Sequence, residues 1–316
     1  MKHKPEKQSE KKYQRYVFLA VFFAVLVATN IATYFLLSPN GEGKGISRFS
    51  LLNPARMFTK QEDLIINFQP LRDYLNDRYQ KDSNVSIYFE YQPTGSNIAL
   101  NKDAEFYPAS LLKVPVAMAV ARKIERGEWK WTNELVLMST DKDDKFGTLY
   151  KEPTNSTHTI EDLVERSLAE SDNTAHFMMV RNLEMEEVQD VYDHMGLPGF
   201  LKTEGSLSAK KYSVIFRALH NSTYLAENNS QKLLSYLAHS PFDDYIQTAL
   251  PKDIVFSHKI GIDIYKKVYL DSGIVYIPNR PYILTVMTKD KDEQKSKEII
   301  ANVSEKVYNY VNTYSN

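Results

Sequence analysis

Ser110-Leu111-Leu112-Lys113 opens a run of helical spacing directly after Tyr107-Pro108-Ala109. A separation of three residues puts the hydroxyl and the amine on one face of a helix. The helix N-terminus adds unpaired N–H groups and a positive dipole end beside the serine. A hydroxyl is a poor nucleophile until a base removes its proton, and a lysine is such a base only when burial or nearby cations pull its pKa down. Pro115 fits this place because the first helical turn has no N–H partner to lose. The spacing by itself is not diagnostic. It recurs at Ser9–Lys12, Ser139–Lys142 and Ser208–Lys211, and a capping serine followed by a solvated lysine produces it equally well.

Two more polar groups stand further along. Ser171-Asp172-Asn173 interrupts an otherwise helical stretch, LAESDNTAHFMM. Three short polar side chains in a row compete for backbone hydrogen bonds, so they predict a turn or an N-cap for a helix over residues 174–183. Lys259-Ile260-Gly261 ends a strand-like run, as an edge-strand lysine beside a glycine at a bulge would. Lys145–Gly147 repeats that short pattern.

The elements that must carry these groups follow from periodicity. Leu64, Ile65, Phe68, Leu71 and Leu75 predict a helix over 60–81, and two strands, 85–91 and 97–100, follow around a Pro93-Thr94-Gly95-Ser96 turn. From Ser110 to about Leu237 the spacing is helical, with polar breaks at 139–158 and 196–206. Strands are predicted at 254–260, 267–277 and 282–288, the last two joined at Pro278-Asn279-Arg280-Pro281. A helix marked by Ile299, Ile300, Val303, Val307 and Val311 closes the chain. This order predicts an α/β (α+β) domain in which one antiparallel sheet is assembled from both ends, with an all-helical lobe inserted between its strands. A cleft between the lobes is the natural place for a site.

The chain has 316 residues, 43% apolar and 25% charged, which excludes a disordered or low-complexity protein and allows a sizeable core. It has no cysteine, which excludes disulfides, thiolate metal centres and a cysteine nucleophile. Six Lys/Arg against two Glu lie in residues 1–15, so the rest of a chain of net charge −1 is acidic and carries no nucleic-acid footprint. Residues 16–37, YVFLAVFFAVLVATNIATYFLL, contain no charge, and 22 residues at about 1.5 Å each suffice to cross a bilayer. They predict a transmembrane helix. The basic tail 1–15 predicts a cytoplasmic N-terminus and a domain outside the cytoplasm, with residues 38–59 as the linker and 60–316 as the domain.

Taken together and in order, YPASLLK, ESDNTA and HKIG, 61 and 88 residues apart, resemble the three signatures of class A β-lactamases and penicillin-binding proteins. The surroundings resemble that family too. IQTALPKDIVFSHKIG followed by DSGIVYIPNRPYILTVMT is similar to its last three strands, and 60–100 to its opening helix and hairpin. The resemblance implies Ser110 as the acylated nucleophile and Lys113 as the amine that accepts its proton. It implies Ser171 as the relay to the leaving nitrogen, Asn173 as the group holding Lys113 and the substrate amide, and Lys259 as a source of positive potential. The backbone N–H groups of Ser110 and Ile262 would form the oxyanion hole, and Gly261 and Ile260 would stand among the substrate-binding residues. Asp172 reads as structural.

Two departures qualify it. The family's Glu-x-x-Leu-Asn loop, whose glutamate activates the deacylating water, is missing, and Glu204 is the one carboxylate in LPGFLKTEGSL. Ile260 stands where the family has Thr or Ser, whose hydroxyl helps bind the substrate carboxylate, and Ile262 also lacks one. His158, His176, His194 and His258 show no metal-ligand spacing, so no metal or cofactor is expected. The expected function is a membrane-anchored serine hydrolase acylated by β-lactams or D-alanyl cell-wall peptides and slow to deacylate. The rival is an inactive wall-binding or scaffolding domain of the same fold.

Overall fold

A computed structural model of the chain describes residues 16–18, 21–29, 49–52, 64–65, 67–202 and 205–314. Two units are present, Met1–Ser47 and Arg48–Asn316. In the first, residues 16–18 and 21–29 are helical and exposed. The rest of the expected span 16–37 and the basic tail 1–15 lie outside the described residues. Among the described residues no helix is long and apolar enough to cross a membrane.

The second unit begins with α1 (Gln69–Tyr79), β1 (Val85–Tyr91) and β2 (Ser96–Leu100). A 3-10 turn, Ala109–Leu112, leads into α2 (Lys113–Glu125). Short strands β3 (Glu134–Val136) and β4 (Thr157–Thr159) precede α3 (Ile160–Ala169), α4 (Asn173–Val180), α5 (Met185–His194), α6 (Ala209–His220) and α7 (Glu227–Ala238). The chain closes with β5 (Phe256–Asp263), β6 (Val268–Val275), β7 (Tyr282–Lys289) and α8 (Glu293–Thr313). The main sheet has the order β2-β1-β7-β6-β5 and is antiparallel throughout. The expected assembly from both ends is therefore seen: β1 pairs β7 from Val85↔Thr288 to Tyr91↔Tyr282.

Alternation along the strands divides the core into two layers. Ile87, Phe89 and Tyr91 of β1 face α1 and α8, where Leu71, Leu75, Ile300, Val303 and Val307 meet them. Tyr88 of β1 and Leu270 and Ile274 of β6 face the helical lobe, built around Leu111, Val114, Met118, Leu163 and Met178. Caps set the helix starts: Thr159, Asp172, Ser208 and Asp292 each accept a hydrogen bond from an N–H in the first turn of the helix that follows.

Three expectations change. The first helix starts at Gln69 with Pro70 in its first turn, not at residue 60, because proline is favoured where an N–H would be unpaired anyway. The polar break at 139–158 runs into β4, which pairs with β3. Residues 49–52 fall in the expected linker yet pack within the second unit. Leu51 and Leu52 are buried, the Leu51 N–H donates to Gln231 Oε1 at 2.8 Å, and the Leu51 carbonyl contacts His220 Nδ1 and accepts from Tyr276 OH, each at 3.0 Å.

Candidate active site

Three segments distant in sequence meet at Lys113. Its Nζ lies 3.1 Å from Ser110 Oγ, 2.7 Å from the Ser171 carbonyl oxygen, 3.2 Å from Ser171 Oγ and 2.6 Å from Asn173 Oδ1. Ser110 sits half-buried in the 3-10 turn, and Lys113 is the buried first residue of α2. Packing, not propensity, places these groups. Ala109 (φ 46°) and Ser171 (φ 57°) adopt the left-handed conformation without being glycine, each at a cost of about 1–3 kcal/mol that the surrounding structure offsets.

Asp172 supplies much of that surrounding structure. Its buried carboxylate accepts from Ala175 N at 2.9 Å, capping α4, and from Thr148 N and Leu149 N at 2.7 and 2.9 Å. It thus ties the 143–149 loop to the start of α4. Gly147 is required at this contact, because it has φ 84° and a Cβ there would lie 2.0 Å from Asp172 Oδ2. The reading of Asp172 as structural is what these bonds describe.

Lys259 arrives from β5. Alternation sends Lys259 and Gly261 toward the helical lobe, and Gly261 lets the strand approach the nucleophile turn: a Cβ there would stand 2.8 Å from the Pro108 carbonyl oxygen and 3.0 Å from Leu111 Cγ. The Lys259 side chain is buried, with Nζ 5.7 Å from the centre of the Phe242 ring. Phe242 in turn meets Phe146 of the 143–149 loop, ring centres 6.4 Å apart and nearly edge-on. No hydrogen bond joins Lys259 to Ser171 among the described residues; its link to the cluster is charge, felt against Lys113. Ile260 is not brought to the site. Its side chain, 1% exposed, lies in the core beneath α8, and Ile262 packs half-buried on the same layer. An apolar side chain suits that core position. β5 is the edge of the sheet, so the Ile262 backbone borders the cleft without a second strand beside it.

Electrostatics suits a base. Burial lowers the Lys113 amine to about 7, against the opposing pull of Asp172 and Asp143. Burial and then the charge of Lys113 hold Lys259 well below the usual lysine range, while Asp271 opposes them. A neutral Lys113 has two N–H bonds and one lone pair. The Ser171 carbonyl and Asn173 Oδ1 can only accept, so they take both N–H bonds and leave the lone pair facing the hydroxyls. A proton can then pass from Ser110 Oγ to Nζ.

The other sequence patterns resolve differently. Ser208 caps α6, accepting from Lys211 N at 3.3 Å, and Ser139 opens a 3-10 turn whose Asp141 is paired to Arg181 at 2.8 Å. His258 is buried against Asp271 at 2.8 Å on the α8 side, His158 contacts the nearby Ser156 hydroxyl, and His194 contacts the Thr223 carbonyl oxygen at 3.3 Å. Among the described residues no cluster could hold a metal ion. Glu204 lies outside the described residues. Sequence reasoning missed Asp143 and the Phe146–Phe242 contact, since a loop carboxylate and two distant rings leave no periodic signal.

The fold, a five-stranded antiparallel sheet against a helical lobe with a Ser-Lys pair at their junction, is that of the serine β-lactamase and penicillin-binding class. Residues 69–311 match the β-lactamase enzyme family, and the chain belongs to that family of serine hydrolases. It is 20% identical over 257 residues to β-lactamase VEB-1 of Pseudomonas aeruginosa, covering 73% of this chain and 86% of that one. Among solved structures it is similar to PBP-A (21% identity, TM-score 0.70, covering 78% of this chain and 97% of that one), a variant of which is described as an acyl-enzyme complex with penicillin G. It is equally similar to a β-lactamase from Sphaerobacter thermophilus (21% identity, TM-score 0.70, 79% and 100% covered).

Proposed function

We propose that this chain is a membrane-anchored, extracytoplasmic serine hydrolase acylated on Ser110 by β-lactams or by D-alanyl peptides of the cell wall, and that its acyl-enzyme is long-lived. The observation that carries the reading is the 3.1 Å approach of Ser110 Oγ to a buried amine whose two obligate acceptors leave its lone pair for the hydroxyl. Lys113 takes the Ser110 proton as Oγ bonds to the substrate carbonyl carbon, and the oxyanion is met by the N–H groups of Ser110 and Ile262. The carbonyl–nitrogen bond then breaks, the leaving nitrogen takes the Ser171 hydroxyl proton, and the proton held on Lys113 restores that hydroxyl. Asn173 holds Lys113 and meets the substrate amide. Lys259 and the Gly261 backbone edge attract and seat an anionic substrate.

Slow release rests on the described carboxylates nearest Lys113. Both oxygens of the Asp172 carboxylate accept from backbone N–H groups, and Asp143 Oδ1 accepts from Asn173 Nδ2 and Lys145 N, so both hold the loop and α4 together, and the family's water-activating loop glutamate has no counterpart in the sequence. The similarity to PBP-A, a variant of which is described as an acyl-enzyme complex with penicillin G, supports a β-lactam as the acylating agent. Anchoring is supported by the uncharged residues 16–37 behind a basic tail, and by the exposed apolar side chains of their described part, such as Phe18 and Phe23. The test is a wash-out: full-length protein in detergent micelles is labelled with a fluorescent penicillin, freed of excess, and followed for hours. The expected result is a stoichiometric label that persists and is absent from Ser110→Ala. Loss of label within seconds would make the protein an efficient lactamase, and no label would favour the inactive wall-binding domain.

A further inference from the structure

Asp143 lies outside all three signature segments, yet it is bound to one of them from two sides. Its Oδ1 accepts from Asn173 Nδ2 at 2.8 Å and from Lys145 N at 3.0 Å. Its backbone is clasped by the next residue of α4: Asp143 N donates to Thr174 Oγ1 at 3.0 Å, and Thr174 Oγ1 donates to the Asp143 carbonyl at 3.2 Å. The Asn173 N–H also donates to the Phe146 carbonyl at 3.1 Å. The loop is therefore fixed on α4 on either side of the Asn173 side chain.

An asparagine amide has two ends of opposite hydrogen-bonding character and nearly equal shape, so its orientation is decided by its neighbours. On one side stands Lys113, a donor through its N–H bonds. On the other stands Asp143, whose ionised carboxylate can only accept. With Nδ2 on Asp143, Oδ1 must face Lys113, as its 2.6 Å contact shows. In the flipped arrangement Nδ2 would point at Lys113, and a neutral amine could answer only with its lone pair, the pair that Ser110 needs.

We infer that Asp143 is a positioning residue of this site: by fixing the Asn173 amide it reserves the lone pair of Lys113 for Ser110. The inference rests on the proposed acylation of Ser110 and assigns a part of that machinery that none of the three motifs contains. Asp143 has a second effect through its charge, which pulls the Lys113 amine upward together with Asp172, against burial. The other titratable groups near Lys113 are Lys259 on β5 and His176 on α4; among the described residues neither is hydrogen-bonded to the Asn173 side chain.

The two effects separate by substitution. Asp143→Asn keeps an Oδ1 that can accept from both Asn173 and Lys145 but removes the charge; Asp143→Ala removes both. In the full-length protein, the rate of labelling by a fluorescent penicillin is measured from pH 5.5 to 9, and the ammonium of Lys113 is titrated by lysine-selective NMR without substrate. Wild type is expected to show a midpoint of about 7. Asp143→Asn should keep the high-pH rate within about threefold, with both midpoints lowered by on the order of one pH unit. Asp143→Ala should lose the high-pH rate by about tenfold or more, with a thermal midpoint matching that of Asp143→Asn. A wild-type plateau rate in Asp143→Ala, or an unmoved Lys113 titration in Asp143→Asn, would overturn the inference. If wild type takes no label the proposed function fails first, and the NMR titrations still decide whether Asp143 acts on Lys113.

Discussion

The buried amine makes a quantitative demand on the pH dependence of labelling. With Lys113 at about 7, the neutral fraction is about one in eleven at pH 6 and ten in eleven at pH 8, so the labelling rate should rise about tenfold between them and then level off. A lysine left at its ordinary value of 10.5 would give an increase of about a hundredfold over the same interval, with no plateau below pH 9. The two cases differ in both size and shape. Lys113→Arg supplies the control, since a guanidinium cannot give up its proton; it should abolish labelling at every pH. Pre-steady-state labelling with a fluorescent penicillin, in buffers of constant ionic strength, reads the rates directly. A rate still climbing in proportion to hydroxide at pH 9, or one independent of pH, would refute the assignment of Lys113 as the base. The same burial carries a stability signature. The folded amine titrates below its unfolded value, so the unfolded chain binds more protons between about pH 7 and 10.5, and the Lys113 contribution to stability must rise with pH across that window.

Other substitutions test the supports. Asp172→Ala leaves the Leu149 and Ala175 N–H groups without an acceptor and removes the α4 cap; the expected loss is about 3–6 kcal/mol, read as a fall of roughly 6–24 °C in the thermal midpoint, and a change under 2 °C would contradict it. Gly261→Ala puts a methyl 2.8 Å from the Pro108 carbonyl oxygen, so it should cost about 1–3 kcal/mol and slow labelling by an order of magnitude or more as β5 and the Ser110 turn are forced apart. Ile260→Thr restores the hydroxyl usual in the family, but at a side chain 1% exposed in the core. It should destabilise by about 1.5–3 kcal/mol without faster labelling, and a gain in rate at unchanged stability would show that this side chain faces the substrate.

Much of this site could be read in the sequence because its chemistry is written in local clusters. Ser110 and Lys113 share a helix turn, Ser171 and Asn173 flank a cap, and Lys259 precedes a glycine that lets the strand come close. The β-strands were legible for the same reason, as in 85–91 and 282–288, where strand-forming residues predominate between turn signals. What was not legible depends on contacts between distant loops. Asp143 acquires its place only when Thr174 and Asn173 fold against it, and Phe242 meets Phe146 across a gap of almost a hundred residues. Leu51 and Leu52 read as linker because two leucines among Ser, Pro and Asn carry no period; Gln231, His220 and Tyr276 hold them in place. Ile260 is instructive in another way. The strand period of two already sets it opposite Lys259, and the layer it faces is apolar core.

The most direct measurement is peptide mapping by mass spectrometry of the full-length protein after benzylpenicillin treatment at pH 8. One penicilloyl group per chain is expected, carried on the peptide containing Ser110 and nowhere else. An adduct on Ser171, Ser139 or Ser208, or an unmodified chain, would contradict it.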